Sequence, residues 1–380
     1  MKRGLLMVLM VGMQLLCSPL VVRAQAPAPD DFTRAIRDLA EDFARIIEKE
    51  GGGSVIVGEF APATGSQGSV SPRIQKTLAT ELQRLKINVV EDSSFKYEIK
   101  GDYQSVIQQA NGNSVLAVRL TGRLIDAASG DILNEKPKTL IVGPESVSVT
   151  DGLTVSLDGL LNDIDRLKAV TAAHQKVKQG QQGFVLNNTV LSARADSQYA
   201  MEILVRDGDT YTARTLTNNK GQPFVDLPVE AIYAVRLINR SSIRAAVELR
   251  VDGVNSFEFS DTGSSFWIIE PNSAVEIRGW HRTNVSTTEF RVVEKFEDGA
   301  AFKVKLSSKS TGLITAAFRA AWGEGDKPPA DEPGQITENG GQERKVTGFG
   351  KDIAVETKQV NVIIGAPRDI LAVRYDRGED

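Results

Sequence analysis

Between residues 31 and 49 the apolar side chains fall at Phe32, Ile36, Leu39, Phe43, Ile46 and Ile47. Steps of three and four place them on one helical face, and Gly51-Gly52-Gly53 ends the helix. Residues 55–60 read as a short buried strand. A Gly/Ser/Pro loop follows; Ser71 as cap and Pro72 in the first turn then open a second helix. Its stripe is Ile74, Leu78, Leu82 and Leu85. Residues 87–90 and 97–107 read as strands. Residues 115–126 and 131–142 form two more around Ala127-Ala128-Ser129-Gly130, a turn-rich hairpin connection. Leu157, Leu160, Leu161, Ile164 and Leu167 predict a third helix continuing toward His174, and 176–183 (KVKQGQQG) suits a linker.

From Tyr199 the period changes to two. Residues 200–206, 233–239, 245–251, 266–270, 274–280 and 289–296 read as strands, punctuated by Asp207-Gly208, Asp252-Gly253, Pro271-Asn272 and Asp298-Gly299. Residues 313–322, 353–364 and 371–375 continue the series. Many short strands with turn signals between them predict an antiparallel sandwich or barrel-like domain. Residues 323–341, acidic and rich in Pro and Gly, read as a mobile, disordered-like surface loop.

The first residues have a different pattern. Lys2 and Arg3 precede an apolar run to Val22, and Val22-Arg23-Ala24 places small residues where a signal peptidase reads. Residues 1–24 are therefore expected to be a signal peptide cleaved between Ala24 and Gln25, leaving an exported, periplasmic or extracellular protein. The single cysteine, Cys17, lies in the removed segment. Leu16 before it is not the small residue that lipoprotein processing wants. No later segment approaches the roughly 20 apolar residues of a spanning helix.

The expected fold is α+β and multidomain. An N-terminal α/β sandwich domain (30–145) is followed by a helical linker (146–183) and an antiparallel β-sandwich domain (184–380). The remaining 356 residues suit two or three domains. Without disulfides, such domains must rely on their own cores. Removing the leader takes away three basic residues and no acid, which leaves 42 basic against 49 acidic, a net charge of −7. That balance gives no general attraction for nucleic acid.

Chemistry is thinly represented. There is no Gly-x-Ser-x-Gly elbow, and His174 and His281 have no nominated serine. Two isolated histidines offer no metal spacing, so neither metal nor cofactor is expected. Asp158, Asp163 and Asp165 read as a solvated helix face. Paired carboxylates would allow a carbohydrate-active hydrolase, which needs two facing acids in an aromatic-lined groove; aromatics make up only 6% of the chain. The densest unusual cluster is Arg278, Trp280, His281 and Arg282. Trp and Arg dominate binding hot spots, whereas a strand Trp also commonly anchors a sandwich core. Both alternatives stay open, with the core the favoured place for Trp280.

Residues 54–60 (SVIVGEF), 78–82 (LATEL), 97–101 (YEIKG) and 124–132 (LIDAASGDI) resemble the small α/β domain shared by curli-assembly lipoproteins, the TolB amino-terminal domain and penicillin-binding-protein activators. That resemblance implies a non-catalytic envelope module that binds partners or assembles. Curli-type channels are lipidated on a cysteine that this chain lacks. Residues 233–240 (YAVRLINR), 251–255 (VDGVN) and Gly279-Trp280 resemble a β domain of uncharacterised bacterial envelope proteins, which implies fold and location. The expectation is a non-enzymatic protein that binds a protein or polysaccharide of the cell envelope. The alternatives are the carbohydrate-active hydrolase and an oligomeric structural component of the envelope.

Overall fold

The computed structural model describes residues 31–63, 71–91, 94–110, 112–140, 143, 145, 148, 151–304, 311–323, 325–333, 335–336, 351–354, 357 and 360–375. The expected leader, with Ala24 and Gln25, lies outside them.

Helix α1 (Asp31–Lys49) forms where the apolar period predicts it, burying Phe32, Ile36, Leu39, Phe43 and Ile47. It stops at Gly51 and Gly52, whose φ of 84° and 74° suit a residue without Cβ. Strand β1 (Ser54–Pro62) and helix α2 (Ser71–Arg84) follow. The hydroxyl of Ser71, expected as a cap, accepts the Phe60 N–H at 3.2 Å. Gln75 donates to Gly58 O at 3.0 Å. These two side chains take up main-chain groups of β1 beyond the reach of β2 (Asn88–Val89), which pairs only with Ser54 and Val55.

Strands β3 (Tyr97–Ala110), β4 (Asn113–Asp126) and β5 (Ile132–Leu140) complete a five-stranded sheet in the order β2-β1-β3-β4-β5. β1 runs parallel to both its neighbours, and the remaining pairs are antiparallel. Ile99, Tyr103, Leu120 and Leu124 share one core with the stripes of α1 and α2. At alternate positions Arg123 pairs with Asp102 at 2.8 Å and Glu135 at 2.6 Å, the opposite-charge cross-strand pairing of a wet sheet face.

The third helix, α3 (Asp163–Lys178), differs from the sequence expectation at both ends. Asn162 caps it by accepting the Asp165 N–H at 2.9 Å, so Leu157 and Leu160 precede it. At the other end it runs through Lys178 into the expected linker. Thr171 on α3 accepts the N–H of Leu116 in β4 at 2.9 Å. The β4–β5 register ends at Val118, so a helical side chain satisfies the strand past its neighbour. Just ahead of α3, β6 (Val155–Ser156) pairs with Ile370 and Asp369.

Most of the rest is two nine-stranded sheets. One is centred on Tyr199–Asp207 and Ile232–Asn239, paired from Tyr233↔Val205 to Asn239↔Tyr199. The other is centred on Arg244–Val251, Leu313–Trp322 and Ile363–Arg374. Their inward residues, Ile203, Val235 and Leu237 from one and Val247, Leu249, Phe318 and Leu371 from the other, pack in a single core. Three predicted strands need correcting. The 274–280 strand breaks at Arg278 into Ser273–Ile277 and Gly279–Thr283, which pair with different neighbours. The 289–296 strand ends at Arg291, and Phe296–Asp298 is a 3-10 turn. The 353–364 strand divides into Asp352–Ala354 and the start of Ile363–Arg374.

The halves are not separate beads. Ala317 and Ile370, from the second nine-stranded sheet, belong to the first core together with Leu153, Val155, Leu157, Leu116 and Val170. The fold is α+β and mostly strand. Among the described residues no helix is long and apolar enough to cross a membrane.

Candidate functional site

The four residues nominated by sequence do not converge on one surface. Trp280 is 5% exposed and meets Phe259 and Phe290 edge-on, with ring centroids at 5.5 and 5.1 Å. It is core. His281 is also buried, between Phe257 at 4.7 Å and Trp267 at 5.6 Å. Its Nδ1 lies 2.8 Å from Ser260 Oγ and its Nε2 3.2 Å from Thr357 Oγ1. Burial lowers its pKa, which favours the neutral ring, one nitrogen donating and the other accepting. Arg278 faces outward, donating to Glu276 at 3.2 Å and lying 5.0 Å from the Tyr211 ring centroid. Arg282 is half-buried, and its carbonyl accepts the Asp261 N–H at 3.0 Å.

The second histidine sits in a cluster that the sequence did not announce. His174 Nδ1, on α3, lies 2.5 Å from Asp151 Oδ2, and the Ser105 hydroxyl of β3 donates to Asp151 Oδ1. A nucleophilic triad places the imidazole between hydroxyl and carboxylate. Here the carboxylate stands in the middle, so His174 is not placed to take the Ser105 proton. The arrangement instead fastens α3 to β3.

Close carboxylates elsewhere share an arginine. On the outer sheet face Arg236 donates to Glu202 at 2.6 Å and to Glu276 at 2.8 Å. The hydrogen bond from Arg236 is the main reason that Glu276 has a lowered pKa. Arg206 reaches the buried Glu289 on the same sheet.

A denser group lies where the two cores meet. The Arg368 side chain, 7% exposed, donates to Asp158 at 2.9 Å and to both oxygens of Asp331 at 2.6 and 2.8 Å. Burial opposes its charge, but Asp331 and Asp158 hold its pKa above the ordinary guanidinium value. Asp331 is correspondingly lowered, first by the Arg368 hydrogen bond. Arg319 reaches Glu145 and donates to Gly365 O at 3.1 Å. Arg166 donates to the carbonyls of Leu157 at 3.3 Å, Leu160 at 3.2 Å and Pro367.

Asp331 and Glu332 come from the loop expected to be mobile. Both acids meet Arg368, Asp331 through two hydrogen bonds and Glu332 at 3.5 Å. Sequence reasoning missed Asp331, Glu332 and Arg368, and its solvated helix face is corrected at Asp158, which precedes α3 and pairs with the buried Arg368. The one available sign was Arg368-Asp369, a charged pair inside an otherwise apolar strand. Among the described residues no three His, Cys, Asp or Glu side chains stand together as metal ligands.

No protein-family model matches the chain, and no curated protein matches it. Two solved structures resemble part of it. The LpoB C-terminal domain from Salmonella enterica is 16% identical, with a TM-score of 0.22, over 29% of this chain and 97% of that one. E. coli LpoB is 15% identical, with a TM-score of 0.22, over 37% of this chain and 84% of that one.

Proposed function

We propose that the chain is an exported, non-enzymatic binding protein of the cell envelope, an α/β module joined by a helix to a β-sandwich, whose partner is a protein or glycan. One observation carries the choice over a carbohydrate-active hydrolase. Such an enzyme brings two carboxylates together in an aromatic-lined groove. Among the described residues, several rings and the closest carboxylate pairs are committed elsewhere. Tyr199 stacks on Phe318, Tyr233 on Phe290, and Trp280 packs inside the same core. Glu202 and Glu276 clamp Arg236, while Asp158 and Asp331 clamp Arg368.

The test uses residues 25–380 with isolated envelope material and its purified polysaccharides. Retention on the envelope fraction is expected, with no release of reducing sugar ends. Release of such ends, abolished by a single Glu→Gln or Asp→Asn change, would overturn the proposal in favour of the hydrolase.

A further inference from the structure

Strand Ile363–Arg374 builds a cradle of the kind that holds a carboxylate. The Ala366 N–H donates to Glu332 Oε1 at 2.6 Å, and Arg368 Nη2 lies 3.5 Å from Glu332 Oε2. Gly365 makes the room: a Cβ there would stand 2.6 Å from Glu332 Cδ and 2.8 Å from Oε1. Asp331 takes the outer side of the same guanidinium through two hydrogen bonds. Arg319 and Arg166 hold this strand by the carbonyls of Gly365 and Pro367 and add positive charge behind it. A main-chain N–H beside a fixed guanidinium is a strong carboxylate receptor.

The occupant is presented by a short loop. Asp326 N–H donates to Gly323 O, and Glu332 N–H donates to Pro329 O, both at 3.0 Å. Pro328, Pro329 and Pro333 restrict the backbone between and beyond these turns. The fit is incomplete all the same. Among the described residues Arg368 Nε and Glu332 Oε2 have no hydrogen-bond partner, although both side chains are more than nine-tenths buried. Asp331 is half exposed. A buried guanidinium N–H that the present occupant leaves open favours exchange for a ligand that closes it.

We propose that this cradle is a binding site for acidic peptides, occupied in the free chain by its own Asp331-Glu332 as a tethered ligand. The proposal rests on the binding function above and names the chemistry of the partner, a protein segment with adjacent carboxylates. A short tether holds its ligand at roughly millimolar effective concentration. An external peptide therefore enters readily only when the tethered acids are removed or outcompeted.

The probe is a peptide copying residues 328–333, titrated calorimetrically into the mature chain. Asp331→Ala combined with Glu332→Ala empties the cradle. This variant is expected to bind the peptide about tenfold or more tightly than the parent does. Adding Gly365→Ala, which fills the seat, should remove the gain, and a peptide with Asn-Gln for Asp-Glu should not bind. If the alanine pair fails to fold, the isosteric Asn/Gln pair is measured in its place. A folded, emptied chain that binds no better than the parent would overturn the proposal, as would equal binding of the neutral peptide. Failure here with undiminished retention on envelope material would leave the binding function standing without this site.

Discussion

Tyr375 Oη lies 2.7 and 2.6 Å from the two carboxylate oxygens of Asp252 and donates its proton to that group. Asp252 occupies a left-handed turn position, φ 53°, and also accepts the N–H groups of Gly312 at 2.7 Å and Leu313 at 3.3 Å. One carboxylate thus fastens the end of the last strand to two other connections. Burial, with Asp252 beside it, keeps the phenol protonated well above its ordinary range. Tyr375→Phe is expected to cost about 1.5–3 kcal/mol, the worth of a hydrogen bond to a charged group. Urea unfolding measures this, and an unchanged midpoint would refute it.

Trp280 separates a structural role from a recognition role. Trp280→Ala removes a ring that fills the space between Phe259 and Phe290, so a loss of about 3–5 kcal/mol is expected. Trp280→Phe should recover much of it. Thermal melts of the two variants provide the check. Full stability of the alanine variant would place the indole outside the energetics of the core.

Asp369 predicts an inverted acid response. Burial raises its pKa, against the pull of its hydrogen bond from Ser197 at 2.7 Å. The folded chain therefore binds this proton more tightly than the unfolded chain. Its contribution is complete below the ordinary value of about 3.9 and is lost as pH rises through the raised folded value. Asp369→Asn is expected to be more stable than the parent at neutral pH, with the gain fading in acid. Denaturation midpoints across the pH range decide the matter, and a less stable variant at neutral pH would count against it.

Thr171 carries two hydrogen bonds at the α3–β4 contact. It accepts the Leu116 N–H and donates to Leu167 O at 2.7 Å. Thr171→Val keeps the shape and leaves a buried N–H without its partner, which should cost about 1–3 kcal/mol. Hydrogen exchange at Leu116 should accelerate with it. A variant with unaltered exchange and stability would show that another group serves this N–H.

Period alone located α1, α2 and the long strands, because one-sided burial writes itself into spacing. Leu78 and Leu82 meet the sheet wherever the rest of the chain goes. The start of α3 was less legible: Leu157 carries the same apolar signal as Leu167 but is buried ahead of the helix cap. The Arg368 cradle left only one sign, the charged pair Arg368-Asp369 in an apolar strand. Asp158, Asp331 and Arg368 are brought together by tertiary contacts alone, and an acidic pair among prolines looks the same whether solvated or docked. Trp280 was ambiguous for a related reason, since composition around a strand Trp does not say which face it turns.

β6 joins residues 155–156 to a strand that is synthesised more than 200 positions later. A chain made from its amino terminus can form α1, α2 and the β3–β4 hairpin early. Its first core nevertheless stays open on one side until Ile370 arrives. Strand Ile363–Arg374 closes both halves at once, so a ribosome that stops short of it leaves neither half complete.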